Sequence, residues 1–218
     1  ARSYEKHSLS ANEALIAEQI FRLLVRDTEL AVRVVMAETL KNCRQLPRDI
    51  ALTMARDAEE VALPVLECSE VLTELDLVDL VREAQGDSRH GAIARRKRVP
   101  EAVTEVLAHS ASQSVLLQLM ANAGAEFTAV CLEGVVQRHA RNEPLMQAMA
   151  ARNSLPAAVL EKLVTSVSAE LAAQLRKKYR SKEDIIGQAQ HRMRESATLA
   201  LIANVVSDDD MDRLAQQL

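Results

Sequence analysis

At 218 residues, with 48% hydrophobic and only 2% aromatic side chains, the chain is long enough for a continuous core. Its net charge of −4 gives no global drive toward nucleic acid. Five glycines, five prolines, and neither alternating β-branched runs nor an Asn-Gly or Asp-Gly hairpin turn argue against strands, while Ala, Leu, Val, Glu, Arg and Gln dominate, so the class is all-α.

Residues 1–9 read as a tail. The segment 10–26 reads as a helix opened by a Ser10/Glu13 capping box, with Ile20 and Leu24 as its apolar pair. "RDTELAV" at 26–32 recurs as "RDAEEVA" at 56–62, and Asp27 and Asp57 are the expected N-caps of the helices that follow. The first of these helices would bury Val32, Val35 and Met36; the second Val61, Val65 and Leu66, with Pro64 inside it shortening, kinking or tightening it. Pro47 as a first helical residue leads to Ile50 and Met54, and Thr73 as an N-cap leads to Leu77 and Val81. Ile93 precedes "ARRKRVPEAVTEVL" at 94–107, where Pro100 leads to Val103 and Leu107. Val115, Leu119 and Met120 come next, then Thr128 before Leu132 and Val136, then Leu145, Met146 and Met149. "AARNSLPAAVLEKL" at 150–163 repeats the 94–107 pattern, with Pro156, Val159 and Leu163.

Six helices thus carry an apolar pair four residues apart, one helix face, and successive pairs lie 30, 27, 26, 29 and 27 residues on. No unit of about 27 residues can bury its own stripe, so neighbours must stack. The expectation is an α-solenoid of about five to six two-helix, HEAT-like repeats over 10–165. A non-repeat helical extension, 166–218, is expected to follow and to be truncated at Leu218, since the chain begins without Met and ends inside a helical pattern. Residues 157–179 could run as one helix, Ser181 would cap another carrying Ile185, Ala189, Met193, Leu199 and Ile202, and "SDDDMDRLAQQL" starts a third.

The series "DTELAVRVVMAETL…LPRDIALTMARDAEEVALPVL" followed by "AIARRKRVPEAVTEVL" resembles a bacterial domain-of-unknown-function family of HEAT-like or leucine-rich-repeat-variant helical proteins. The resemblance covers about 15–165, more weakly to 206, and implies an α-solenoid with no established activity. Leucine-rich-repeat variants can carry an iron–sulfur cluster on closely spaced cysteines; this chain has no C-x₂-C, so none is expected. HEAT-like DNA glycosylases use aromatic side chains, of which only Tyr4, Tyr179, Phe21 and Phe127 are present here.

Arg89, Arg95, Arg96, Lys97 and Arg98 form the sharpest charge cluster. They read either as an anion or partner site or as the solvated, cation-favouring end of a helix. Arg96 aligns with Arg152 of the second copy, which favours a structural role for that residue. "RKKYRSK" at 176–182 poses the same alternatives, and "DDD" at 208–210 reads as an acidic helix start. His7, His90, His109, His139 and His191 show no ligand spacing and read as surface or satellite residues; Cys43, Cys68 and Cys131 read as small core residues, without a disulfide framework. No apolar run approaches the ~18 residues of a membrane helix, and no signal peptide opens the chain. The expected function is a non-enzymatic, cytoplasmic scaffold, without cofactor or metal, that binds a protein or peptide. A nucleic-acid or phosphate-binding module using 89–98 is the alternative. The C-terminal helices are a candidate homodimer surface, and exposed residues such as Arg48 should matter little to stability.

Overall fold

A computed structural model describes residues 10–179, apart from 28, 85 and 154. All of the regular structure among the described residues is helical: α1 Ala11–Asp27, α2 Leu30–Leu40, α3 Arg48–Ala55, α4 Glu59–Cys68, α5 Glu74–Glu83, α6 Asp87–Ala94, α7 Glu101–Ser110, α8 Gln113–Ala121, α9 Ala129–His139, α10 Glu143–Ala151, α11 Ala157–Ser166 and α12 Ala169–Lys178. The expectations for the 1–9 tail, Ser181, the helices beyond it, "DDD", His7, His191 and Tyr4 lie outside the described residues. The chain divides into two compact units between Asn153 and Ser154.

In the first unit, α2, α4, α6, α8 and α10 pack in succession, each on the next. The alternate helices pair as α1 with α3, α5 with α7 and α7 with α9. Each helix offers a single apolar stripe, so the core is a seam between these two sets. Ile50, Met54, Leu77, Val81, Val103, Leu107, Leu132 and Val136 are all buried in it, as the four-residue spacing requires. In the second unit, α11 packs on α12, and Val159 and Leu163 are buried.

Local chemistry explains the boundaries. Thr73 caps α5 through Asp76 N–H, and Asp76 returns the bond to Thr73 N–H, a capping box; Ser10 and Glu13 make the same exchange at α1. Thr128, Ser112, Asn142 and Ser168 cap α9, α8, α10 and α12 through the backbone N–H three residues on. Gly86 precedes α6 at φ +117°, a conformation that a side chain would strain.

Several expectations need correction. Pro47, Pro100 and Pro156 occupy the N-cap position, one residue before each helix. Asp57 is not the N-cap of α4, which is Ala58; its carboxylate instead accepts Ala58 N–H and a two-toothed pair from Arg33, at 2.6 and 2.9 Å. The helix α4 runs unbroken through Pro64, where the missing donor leaves only the carbonyl of solvent-exposed Glu60 without its intrahelical bond. Residues 157–179 are two helices, because Ser168 turns its hydroxyl onto Leu171 N–H and starts α12. In α1 the buried pair is Phe21 and Val25, while Ile20 is exposed and Leu24 half-buried; in α2, Val32 and Val35 are exposed and Met36, Ala37 and Leu40 are buried. These two helices open the series and are packed from one side.

Ion pairs join positions 24–28 residues apart: Arg22 to Asp49, Arg33 to Asp57, Arg48 to Asp76, Arg56 to Glu83, Arg95 to Glu67 and Arg98 to Glu126. Most are exposed and contribute little each. Arg48 is the exception to the reading that it is dispensable. Its partner Asp76 is 5% exposed and also accepts Thr73 N–H, and the Arg48 guanidinium, ahead of these Thr73 bonds, holds the carboxyl down to about 2 against the usual 3.8.

Leu107→Ala and Leu163→Ala should each cost about 2–5 kcal/mol in urea unfolding; near-neutral values at both would break the assigned faces. Asp76 has a folded pKa below its unfolded one, so its contribution is present above pH ~4 and lost as pH falls toward ~2. Arg48→Ala should therefore lower stability by roughly 1–2 kcal/mol at pH 7, after allowing for the solvent around Arg48. The gap to wild type should close between pH ~4 and ~2 in urea titrations.

Candidate functional site

The turns that follow α2, α4, α6 and α8 line one groove of about 1120 Å³. Asn42 comes from the first turn; Glu67, Cys68, Glu70, Leu72, Glu74 and Leu77 from the second and start of α5; Arg95, Arg96, Lys97, Arg98, Pro100 and Glu101 from the third and start of α7; and Ala123, Gly124 and Glu126 from the fourth.

These turns are held by one another. Arg96 is 8% exposed and donates to the carbonyls of Leu66 and Ser69 at the end of α4. Burial pulls its pKa below that of a free arginine, and the carbonyl end of the helix supplies the negative counterpart. One unit on, the Asn122 amide donates to the carbonyls of Ala94 (2.7 Å) and Arg96 (2.8 Å), while its oxygen accepts Gly124 N–H. Then Arg152 donates to the carbonyls of Met120, Asn122 and Ala125, with the Phe127 ring 4.7 Å below its guanidinium. On the other side of the helices, Arg89 donates to the carbonyls of Ala55 and Asp57.

Within the groove, Val99 and Ala125 form a parallel bridge: Val99 N–H donates to Gly124 C=O at 3.0 Å and Glu126 N–H to Val99 C=O at 2.9 Å. Thr104 of α7 donates to the Glu126 carbonyl at 2.6 Å and secures the same turn. Gly124 is required by this approach, since a Cβ there would sit 2.0 Å from the Lys97 carbonyl oxygen.

Of the five basic residues singled out from sequence, Arg95, Arg96, Lys97 and Arg98 line the groove and Arg89 does not, and their commitments differ. Arg89 and Arg96 donate to main-chain carbonyls. Arg95 pairs with Glu67 (3.1 Å) and reaches Gln118; Arg98 pairs with Glu126 (2.9 Å). Lys97 is exposed and has no bonded partner among the described residues. The groove also gathers Glu70, Glu74 and Glu101, of which Glu70 pairs with Arg44 at 2.7 Å; Glu74 and Glu101 stand exposed in the first turns of α5 and α7. This acidic lining was missed in sequence because no one segment holds it; the 26–30-residue offsets were the available signal.

Other expected residues fall elsewhere. Arg176, Lys177 and Lys178 occupy the last turn of α12, with Lys178 5.6 Å from the Tyr179 ring. His90 is buried rather than at the surface, and its Nε2 lies 3.0 Å from the Val81 carbonyl oxygen. Cys43 and Cys131 are buried, Cys68 partly so, and burial pushes the Cys131 thiol up to about 11. Among the described residues, no three His, Cys, Asp or Glu side chains cluster in a way that could hold a metal, and no helix is long and apolar enough to cross a membrane.

A family model described as an uncharacterised protein conserved in bacteria (DUF2336) matches residues 61–218. The chain belongs to this family. The match starts at the buried Val61 of α4 and so includes three of the four groove turns and all of the C-terminal part, whereas the resemblance noted in the sequence centred on 15–165. Comparison with curated proteins and with solved structures finds no match.

Gly124→Ala should lower stability by about 1–3 kcal/mol, since either the Lys97–Val99 segment or the turn must move. Gly134→Ala, whose Cβ would meet only Arg138 at 3.9 Å within α9, should stabilise by up to about 1 kcal/mol. Chemical denaturation of both variants checks the pair, and equal effects would contradict the close approach at Gly124.

Proposed function

We propose that this bacterial family member is an α-solenoid of HEAT-like repeats acting as a non-enzymatic interaction scaffold. Its groove takes an extended segment of a partner protein that carries both charges. Support for the solenoid comes from the succession of packed helices and from polar bonds that recur at 22–34-residue spacing. Stacked units of this kind line up equivalent turns, and a row of turns makes an elongated surface.

The observation that carries the functional reading is the charge pattern of the groove. Four basic side chains, Arg95, Arg96, Lys97 and Arg98, face five carboxylates, Glu67, Glu70, Glu74, Glu101 and Glu126. A polyanion would meet these carboxylates at every step, and the arginines already donate to carboxylates or carbonyls. Nucleic-acid binding through Arg89 and 95–98 is the weaker reading for that reason. The Lys97, Glu74 and Glu101 side chains line the groove without a bonded partner among the described residues, and this mix of one cation and two carboxylates suits a chain segment with alternating charges.

Peptides selected by display against the full chain should carry both Lys or Arg and Asp or Glu. They should lose at least about tenfold in affinity for a Lys97→Glu/Glu101→Lys variant. Equal affinity for wild type and variant by calorimetry would remove the groove as the site. A duplex DNA bound more tightly than any peptide, with a steep salt dependence, would favour the alternative.

A further inference from the structure

Helix α1 shows solvent a continuous apolar stripe. Ile16, Ile20 and Leu23 are spaced i, i+4 and i+7, which places them on one face, and they are 58%, 48% and 65% exposed, with Leu15 beside them at 58%. The opposite side of the helix is already used, since Phe21 and Val25 are buried against the first unit. Large aliphatic residues lined up along one face of one helix, unlike single exposed ones such as Leu75 and Val130, mark a surface that is covered in use.

What covers it is indicated by two features of the same helix. The first is a position within the series. The residue before the first buried member of the apolar pair is Asp49 in α3 and Asp76 in α5, each accepting an arginine, and Ala102, Cys131 and Ala158 in α7, α9 and α11. In α1 the buried pair is Phe21 and Val25, so the equivalent position is Ile20. The position thus holds an acid or a small residue in the other five helices and a large exposed aliphatic in α1, which suits an apolar partner surface.

The second is charge. The first turn of α1 carries Glu13 and the last turn Arg26. Two α1 helices crossing antiparallel about a two-fold axis between Gln19 and Ile20 set Ile16 against Leu23 and Glu13 against Arg26. A parallel pair would set like charges together. The stripe and its flanking charges are thus complementary to themselves in one register, which is the requirement of an isologous interface.

We propose that the chain forms a two-fold dimer through α1, with the antiparallel α1 of a second copy on the Ile16–Ile20–Leu23 stripe. This surface is separate from the groove, which contains no α1 residue, and differs from the C-terminal helices first considered for self-association.

Sedimentation of the full chain over roughly micromolar to 100 micromolar concentration should show a species of twice the 24.0 kDa chain mass. Ile20→Asp combined with Leu23→Glu should shift the equilibrium to monomer by at least tenfold, with helical circular dichroism retained. Arg26→Glu and Glu13→Arg, made in separate chains, each create like-charge pairs and should each be largely monomeric. Mixed one to one, they pair Glu with Arg at both ends and should re-form the dimer. A wild-type monomer throughout the range overturns the proposal, as does a dimer that survives Ile20→Asp/Leu23→Glu. Failure of the mixed pair to associate overturns the antiparallel register.

Discussion

A helix ends in carbonyls that have no donor of their own, and the described helices from α2 onward lack the usual local remedy. From α2 to α12 no C-cap residue adopts the left-handed conformation in which glycine closes a helix, and the whole chain has only five glycines. The donors come from the next unit instead: Arg89 for α3, Arg96 for α4, Asn122 for α6 and Arg152 for α8. A buried carbonyl without a donor costs about 1–3 kcal/mol. These four helices therefore depend on segments later in the chain for their polar ends as well as for burial of their apolar stripes. Helices of eight to eleven residues, too short to persist alone, become cooperative through both.

This dependence explains which parts of the fold could be read in advance. Val103 and Leu107 lie in α7, which packs on both α5 and α9, so period alone placed them in the core. Period fails in α1 and α2, where one neighbour leaves part of an apolar stripe open and Ile20, Val32 and Val35 remain in water. Capping chemistry was legible where the side chain acts locally, as at Thr73 and Thr128. It misled at Asp57, because Arg33 from another unit competes for the carboxylate. The division of 157–179 was present in the sequence but unmarked by Gly or Pro: Ser168 stands three residues before Leu171 as Ser112 stands three before Val115.

The candidate site was legible in position and not in character. The repeated arginine of the two near-copies, Arg96 and Arg152, did report a shared role, that of donor to the carbonyls of the preceding helix. The run 95–98 looked uniformly basic because a linear reading cannot see Glu67 or Glu126, each 28 residues from its arginine. Charge that is dense along the chain is thus balanced across it.

The same carbonyl-capping device shapes the groove. For Arg96 to reach Leu66 and Ser69, the backbone from Arg95 to Pro100 must lie across the end of α4. That displacement brings Val99 beside Ala125 and leaves no room for a side chain at Gly124. Lys97 and Arg98 are turned outward by consequence, since Arg96 and Val99 on either side are committed to the interior. The exposed charges of the groove are therefore set by buried bonds a few residues away. A partner segment would meet a surface whose backbone is fixed before it arrives, so little ordering cost would fall on the protein side of the encounter.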